Sequence, residues 1–240
     1  DKDKKSGGSG GGSGGNSGGG GSSPVIDSDQ EAVNAEAAKY EEIAVIEGNI
    51  TAGTDVTDTV AKLKAGKIPV SSIILSYAVS SGKYLEVVDN AVKVKAQNTN
   101  DDDATETVTI IFTKNGKTAT KNVTVTIKSS IVAKIGENKY QSLLEAINAA
   151  DNGATIVIVK GSTGGGIFLG KNEKKNITID FNGHTYTVNS PVGSTGTISQ
   201  ALHLEKGNTV TLKNGTITSE ANCGILMLVQ NYCDLTLDNM

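Results

Sequence analysis

Three charged residues in the last third of this 240-residue chain close the same short phrase. Asp180 ends Asn176-Ile177-Thr178-Ile179-Asp180, Lys213 ends Thr209-Val210-Thr211-Leu212-Lys213, and Asp238 ends Asp234-Leu235-Thr236-Leu237-Asp238. If the phrases are strands stacked on one another, alternation puts the three charges in one outward column about 4.8 Å apart. Such a column could form a charged site on the surface. It is also the ordinary form of a solvated ladder of alternating charge, at about 0.2–1 kcal/mol per pair, and this plainer use is preferred. His203 and Glu205 lie two apart on one strand face, with His203 expected to point outward beside Leu228 of the next winding. A His/carboxylate pair can move protons, but no third group accompanies this one.

The remaining candidates are weaker. His184 follows Asn182-Gly183 and reads as a solvated turn residue. Gly164-Gly165-Gly166 lacks the Lys-Ser/Thr and the helix that a phosphate-binding loop needs, so a flexible loop between Val159 and Ile167 is expected. Cys223 and Cys233 do not have zinc-site spacing. A disulfide between them would close a short loop for about 3 kcal/mol, and two small apolar fillers are the preferred reading.

Composition narrows the classes. Net charge is −4, too mild to argue for nucleic acid or an acidic lipid surface. All 22 positive residues are lysine, so no bidentate guanidinium clamp is available for phosphate or carboxylate. Aromatic residues make up 4% of the chain and Trp is absent, which weakens a sugar site built on aromatic platforms. No apolar run approaches the roughly 18 residues of a membrane helix. No sequence feature demands a cofactor.

The elements that must position these residues are short strands. Ile177 and Ile179, Val210 and Leu212, and Leu235 and Leu237 share one face of their phrases, and Thr178, Thr211 and Thr236 share the other. The phrases recur at about 33 and about 25 residues, a period that signals a stacked fold. Ile167-Phe168-Leu169, Ala201-Leu202-His203-Leu204 and Leu226-Met227-Leu228-Val229 read as a second strand of each coil. Thr185-Tyr186-Thr187-Val188 and Thr216-Ile217-Thr218 read as a third. Asn182, Asn214 and Asn239 sit at the bends, where Asn tolerates left-handed backbone and could stack into an amide ladder. Tyr140 to Ala150 reads as an amphipathic helix with Tyr140, Leu143, Leu144 and Ile147 on one face, covering the open end of the stack.

The helix followed by Asp151-Asn152-Gly153-Ala154 and the strand Thr155 to Val159, together with Asp180-Phe181-Asn182-Gly183-His184-Thr185-Tyr186-Thr187, resembles the N-terminal part of right-handed parallel β-helix proteins of the pectin-lyase-like class, over about residues 131–240. The resemblance implies about three coils. Polysaccharide lyases of that class use Asp-bound calcium and a basic residue on such a surface, which would cast Asp180 and Asp238 as calcium ligands and Lys213 as the basic residue; the preferred reading is no cofactor and no catalytic residue. Their catalytic Arg has no counterpart here.

Earlier in the chain, Asp1 to Lys5 is charged and Ser6 to Ser23 is nearly all Gly and Ser, a tether over residues 1–23. Such a start resembles mature bacterial lipoproteins after the lipid-bearing Cys, which implies a lipid anchor upstream of Asp1. Asp29 to Glu42 reads as a helix capped by Asp27 or Ser28. Ile73 to Val79 is a core strand. Tyr84 to Val88 and Ala91 to Lys95 flank a bend at Asp89-Asn90. Thr107 to Thr113 and Asn122 to Lys128 form a hairpin about Asn115-Gly116. A leading helix and about seven strands, with Ser76-Tyr77-Ala78-Val79-Ser80-Ser81 and the strand Thr118 to Ile127, resemble the atrophied bacterial immunoglobulin-like domain over residues 24–130. That family usually carries Trp where Tyr77 stands.

The expected protein is therefore mainly β: an Ig-like β-sandwich with a leading helix, then a helix-capped right-handed parallel β-helix, joined with little slack at Ser129 to Gly136. The expected function is a non-enzymatic module on the bacterial cell surface that displays or binds glycans or host-surface polymers. The alternative is the N-terminal part of a polysaccharide lyase or glycoside hydrolase whose catalytic coils lie beyond Met240. In either case, the last coil is expected to expose apolar interior and to self-associate.

Overall fold

The computed structural model describes residues 27–240, and the stretch read as a tether lies outside the described residues. Helix α1 (Ser28–Ala37) starts where the Asp27 carboxylate accepts from the Asp29 and Gln30 N–H groups. It stops at Ala37 instead of Glu42, because Tyr40 turns into the core and bridges to Leu63. Strand β1 (Ile43–Ile46), the single turn α2 (Thr57–Val60), β2 (Ile74–Val79), β3 (Leu85–Val88), β4 (Ala91–Val94), β5 (Ala104–Lys114) and β6 (Lys117–Ile127) follow. These are six strands, not about seven; near Asp55 and Leu63 the backbone forms only isolated bridges.

Local chemistry sets this half. Asn115 and Gly116 both have positive φ, 47° and 78°, as do Asp89 and Asn90 at 53° and 57°. Two-residue turns of that hand match strand twist, so β5–β6 and β3–β4 are tight hairpins. The first sheet runs β1-β6-β5-β2, with β1 parallel to β6 and the other pairs antiparallel. Val108, Ile110 and Phe112 of β5 and Val123, Val125 and Ile127 of β6 bury one face against α1 and the β3–β4 pair.

The second half begins with β7 (Ala133–Ile135), β8 (Asn138–Tyr140) and helix α3 (Leu143–Ala149). It continues with β9 (Ala154–Ile158), β10 (Ser162–Gly165), β11 (Ile167–Leu169), β12 (Asn176–Asp180), β13 (Thr185–Ser190), β14 (Gln200–Leu204), β15 (Thr209–Lys213), β16 (Thr216–Ser219), β17 (Met227–Asn231) and β18 (Asp234–Asp238). Each winding gives one strand to each of three parallel sheets: β9-β12-β15-β18, β10-β13-β16 and β11-β14-β17. β7 and β8 extend the first of these in antiparallel fashion. Ile156, Ile167, Leu169, Ile177, Ile179, Val188, Leu202, Leu204, Val210 and Leu212 fill the interior.

Three expectations are corrected here. Gly164 and Gly165 belong to β10 and do not form a loop. Their lack of a side chain makes room for Tyr186: a Cβ on Gly164 would stand 2.5 Å from the Tyr186 hydroxyl, which donates to the Gly165 carbonyl at 2.7 Å. In α3, Ala146 joins Leu143 and Ile147 on the buried face, while Leu144 is 42% exposed and Tyr140 lies in β8. The Ser142 hydroxyl caps α3 by accepting from the Glu145 N–H at 3.1 Å.

The third correction concerns the bends. Asn182, Asn214 and Asn239 do have positive φ, but their amides do not form a continuous ladder. Asn214 follows Lys213 directly, whereas Phe181 intervenes between Asp180 and Asn182, so Asn182 is one residue out of step. Asn239 Nδ2 donates to Asn214 Oδ1 at 3.5 Å, but Asn214 Nδ2 donates to Asp180 Oδ1 at 3.1 Å. Backbone bonds hold the bends instead: Phe181 N–H to Lys213 O at 2.8 Å, Gly183 N–H to Asn214 O at 2.7 Å, and Gly215 N–H to Asn239 O at 3.2 Å.

The halves are fastened along residues 129–134. Asp103 accepts from the Ser129 N–H at 2.9 Å, Lys160 Nζ donates to the Ser129 carbonyl, and Asp101 pairs with Lys134 and Lys139 at 2.9 and 3.1 Å. Among the described residues no helix is long and apolar enough to cross a membrane.

Candidate functional site: an aromatic face on the third sheet

Strand β14 carries His203 between two neighbours in register, Phe168 of β11 and Gln230 of β17. The expected neighbour Leu228 was two positions off, because β17 starts at Met227 and pairs Leu202 with Val229. His203 leaves the interior, as alternation requires, yet it is only 2% exposed. Phe168 covers it on one side, with ring centroids 5.1 Å apart, and Tyr232 on the other, at 6.0 Å. Both covering rings reach solvent, Phe168 at 38% and Tyr232 at 59%. Gln230 Nε2 donates to the Tyr232 hydroxyl at 2.8 Å and fixes that ring at the strand end.

The rim of this face is charged. Glu205 Oε1 lies 3.6 Å from His203 Nε2, too far for a hydrogen bond, and Glu205 Oε2 accepts from the Lys171 N–H at 3.2 Å. Lys171, Glu205, Lys206 and Tyr232 border a recess of about 380 Å³. Asn208, 1% exposed, holds the rim in place. Its Nδ2 donates to Gly170 O at 3.1 Å and Glu205 O at 2.8 Å, and its Oδ1 accepts from the Lys175 N–H at 2.8 Å. Two polar atoms beneath the rings, His203 Nδ1 and Gln230 Oε1, are shielded and lack a hydrogen-bond partner.

The arrangement can stack an apolar ring face on Phe168 and Tyr232 while Glu205 and the lysines meet polar groups at its edge. It cannot easily relay protons. His203 is covered by both rings, and its contact with Glu205 is longer than a hydrogen bond.

The charge column forms as expected, with Asp180, Lys213 and Asp238 in register. Asp180, however, is occupied. Its Oδ2 is 3.3 Å from Lys213 Nζ, and its Oδ1 accepts from the Asn182 N–H at 2.9 Å and from Asn214 Nδ2. Burial pushes its carboxyl upward, but the hydrogen bonds from Asn214, the Asn182 N–H and Lys213 outweigh that and hold it below the usual 3.8. With Lys213 placed between the two carboxylates, the column fits a structural ladder better than a calcium site; among the described residues no group of three or more His, Cys, Asp or Glu could hold a metal ion. Thr155 extends the threonine column to four residues with Thr178, Thr211 and Thr236. Cys223 and Cys233 are free thiols; Cys223 lies against the Glu220 carbonyl and Cys233 packs on the core.

Sequence reasoning missed the aromatic face. Aligning Ile167-Phe168-Leu169 with Ala201-Leu202-His203-Leu204 already puts Phe168 one place from His203, but Tyr232 comes into view only with the correct register of β17. Compared with known protein families, curated proteins and solved structures, the chain matches none.

Proposed function

We propose that this chain is a non-enzymatic module of a bacterial cell surface that binds polysaccharide through the face that Phe168 and Tyr232 form over His203. In this reading residues 24–130 are an Ig-like spacer and residues 131–240 are capped coils of a right-handed β-helix of the pectin-lyase-like class. The three parallel sheets and the covering helix α3 support the second assignment, and the β5–β6 hairpin with its leading helix supports the first. Extracellular display, with a lipid anchor ahead of Asp1, rests on the Gly/Ser composition of the first 23 residues.

One observation carries the ligand class: a chain with 4% aromatic residues gathers two exposed rings over a shielded histidine on one outward face with a charged rim. Sugars present an apolar ring face beside hydroxyls, which is the complement of such a column. Affinity electrophoresis of the full chain in gels containing neutral or acidic polysaccharides tests the proposal. Retardation by at least one polymer is expected, and Tyr232→Ala should weaken it about tenfold, in keeping with a stacking contact. Equal mobility of the parent and of Tyr232→Ala and Phe168→Ala in every gel overturns it.

A further inference from the structure

The two halves meet around a cleft of about 650 Å³ that is separate from the aromatic face. Asn49 comes to it from the loop after β1, Ser130 from the connecting segment, Gln141 from the link between β8 and α3, and Ser162, Thr163 and Thr187 from β10 and β13. Apart from Val132 and Gly161 the lining is polar, and no ring lies on it.

The walls are built to hold their shape. A Cβ on Gly48 would fall 1.8 Å from the Lys128 carbonyl, so the loop carrying Asn49 lies flush against the connecting segment. Gln97 Nε2 donates to the Asn49 carbonyl at 2.9 Å, and the Ser130 N–H donates to the Asn98 carbonyl at 2.7 Å. On the opposite wall Thr163 and Thr187 stand in register on neighbouring strands. Two hydroxyls of the lining, Ser130 Oγ and Ser162 Oγ, are shielded from solvent without a hydrogen-bond partner, and Ser130 is 1% exposed. A shielded hydroxyl without a partner is unusual and calls for an explanation.

We propose that this seam is a second binding site, taking a neutral polyhydroxylated ligand of one or two sugar rings. The volume falls within the range of small-ligand pockets. The lining offers hydroxyl and amide groups, which suit sugar hydroxyls. Glu47 and Lys160 bring one charge of each sign to the lining, so it has no net charge that would favour an ionic ligand over a neutral one. A ligand seated here touches both halves and stiffens their junction. This site does not depend on the aromatic face, and the two readings can fail separately.

The test is an amide-resolved NMR titration of the full chain with glucose, galactose and N-acetylglucosamine in turn. Saturable shifts at Asn49, Ser130, Thr163 and Thr187 are expected with at least one sugar. Thr187→Val and Asn49→Ala, both surface changes that keep the fold, should each weaken that binding about fivefold, the effect of one neutral hydrogen bond. Tyr232→Ala should leave it unchanged. Shifts confined to the neighbourhood of Phe168 and Tyr232, no shifts with any of the three sugars, or cleft binding indifferent to both cleft variants would each overturn the proposal.

Discussion

The N-terminal half fastens its loops with buried carboxylates beside one buried amide, Asn98, whereas the C-terminal half fastens its corners with backbone pairing and the buried amide of Asn208. Glu106, 4% exposed, accepts from Ser81 Oγ and from the N–H groups of Lys83, Tyr84 and Leu85 at 2.6–3.2 Å, which ties the turn before β3 to β5. Glu36, 1% exposed, does the same for Val70 and pairs with Lys39. In the C-terminal half no carboxylate is buried among the described residues; Asn208 and the repeated backbone bonds at the bends fill that role. The difference follows from topology. Hairpins and crossovers of unequal length leave irregular loops whose amides need individual acceptors, while stacked windings supply each amide with the equivalent carbonyl of the next winding.

The largest effects should separate the halves. Glu106→Ala leaves several buried donors without an acceptor and should cost about 4 kcal/mol. Phe181→Ala empties a fully buried site at the first bend and should cost about 3–5 kcal/mol. Hydrogen exchange should show Glu106→Ala loosening the amides of Val108 and Val123 more than those of Ile179 and Leu212, and Phe181→Ala the reverse. Uniform loosening by both variants would mean that the halves unfold as one unit and that the distinction has no energetic content.

A smaller effect sharpens the comparison at two Asn-Gly pairs that look alike in sequence. Gly116 has φ 78° and open space around its Cβ direction; Gly215 is outside the positive-φ region, but a Cβ there would stand 2.2 Å from Phe181 Cβ and 2.6 Å from the His184 carbonyl. Gly116→Ala should cost about 1–2 kcal/mol through backbone strain, and Gly215→Ala about 2–3 kcal/mol through overpacking. A D-alanine at 116, introduced by chemical ligation and followed by thermal denaturation, checks the first cause: it accepts the positive φ and should recover the stability that Gly116→Ala loses.

The smallest effect is in the response to acid. Asp27, Asp29, Glu42, Asp55 and Asp103 in the N-terminal half, and Asp101 at the seam, have carboxyls held below their ordinary values, mainly by hydrogen bonds from partners such as Lys117, Asn115 and Lys134. In the C-terminal half the Asp180 carboxyl is lowered as well. A lowered folded-state value contributes stability that is present above the unfolded value near 4 and is lost as pH falls through the folded one. Exchange protection below about pH 4 should therefore decline first in the N-terminal half and at the seam. An earlier decline around Ile179 would contradict the assignment.

Much of this was legible in the sequence because it is local or repeated. The hairpin about Asn115-Gly116 follows from turn chemistry, and the pairing of Asp180, Lys213 and Asp238 follows from three copies of one phrase. What was not legible depends on lengths between copies. The loop between β16 and β17 moves the register of β17 by two, which hid Gln230 and Tyr232 as neighbours of His203. One inserted Phe181 puts Asn182 out of the amide column. The glycines of β10 looked like a loop because the reason for them, Tyr186, lies on a neighbouring strand about twenty residues later. The seam cleft draws on residues from five separate segments and has no sequence signature of its own.

The most direct test of the account is the register of the stacked windings, from which the aromatic face and the bends both follow. With Cys223 and Cys233 replaced by Ser and Ala, the pair Thr178→Cys and Thr211→Cys should form a disulfide on mild oxidation of the native chain, since these residues are neighbours on parallel strands. The pair Thr178→Cys and Thr236→Cys, two windings apart, should not. Cross-linking of the second pair in preference to the first would contradict the parallel order of β12, β15 and β18.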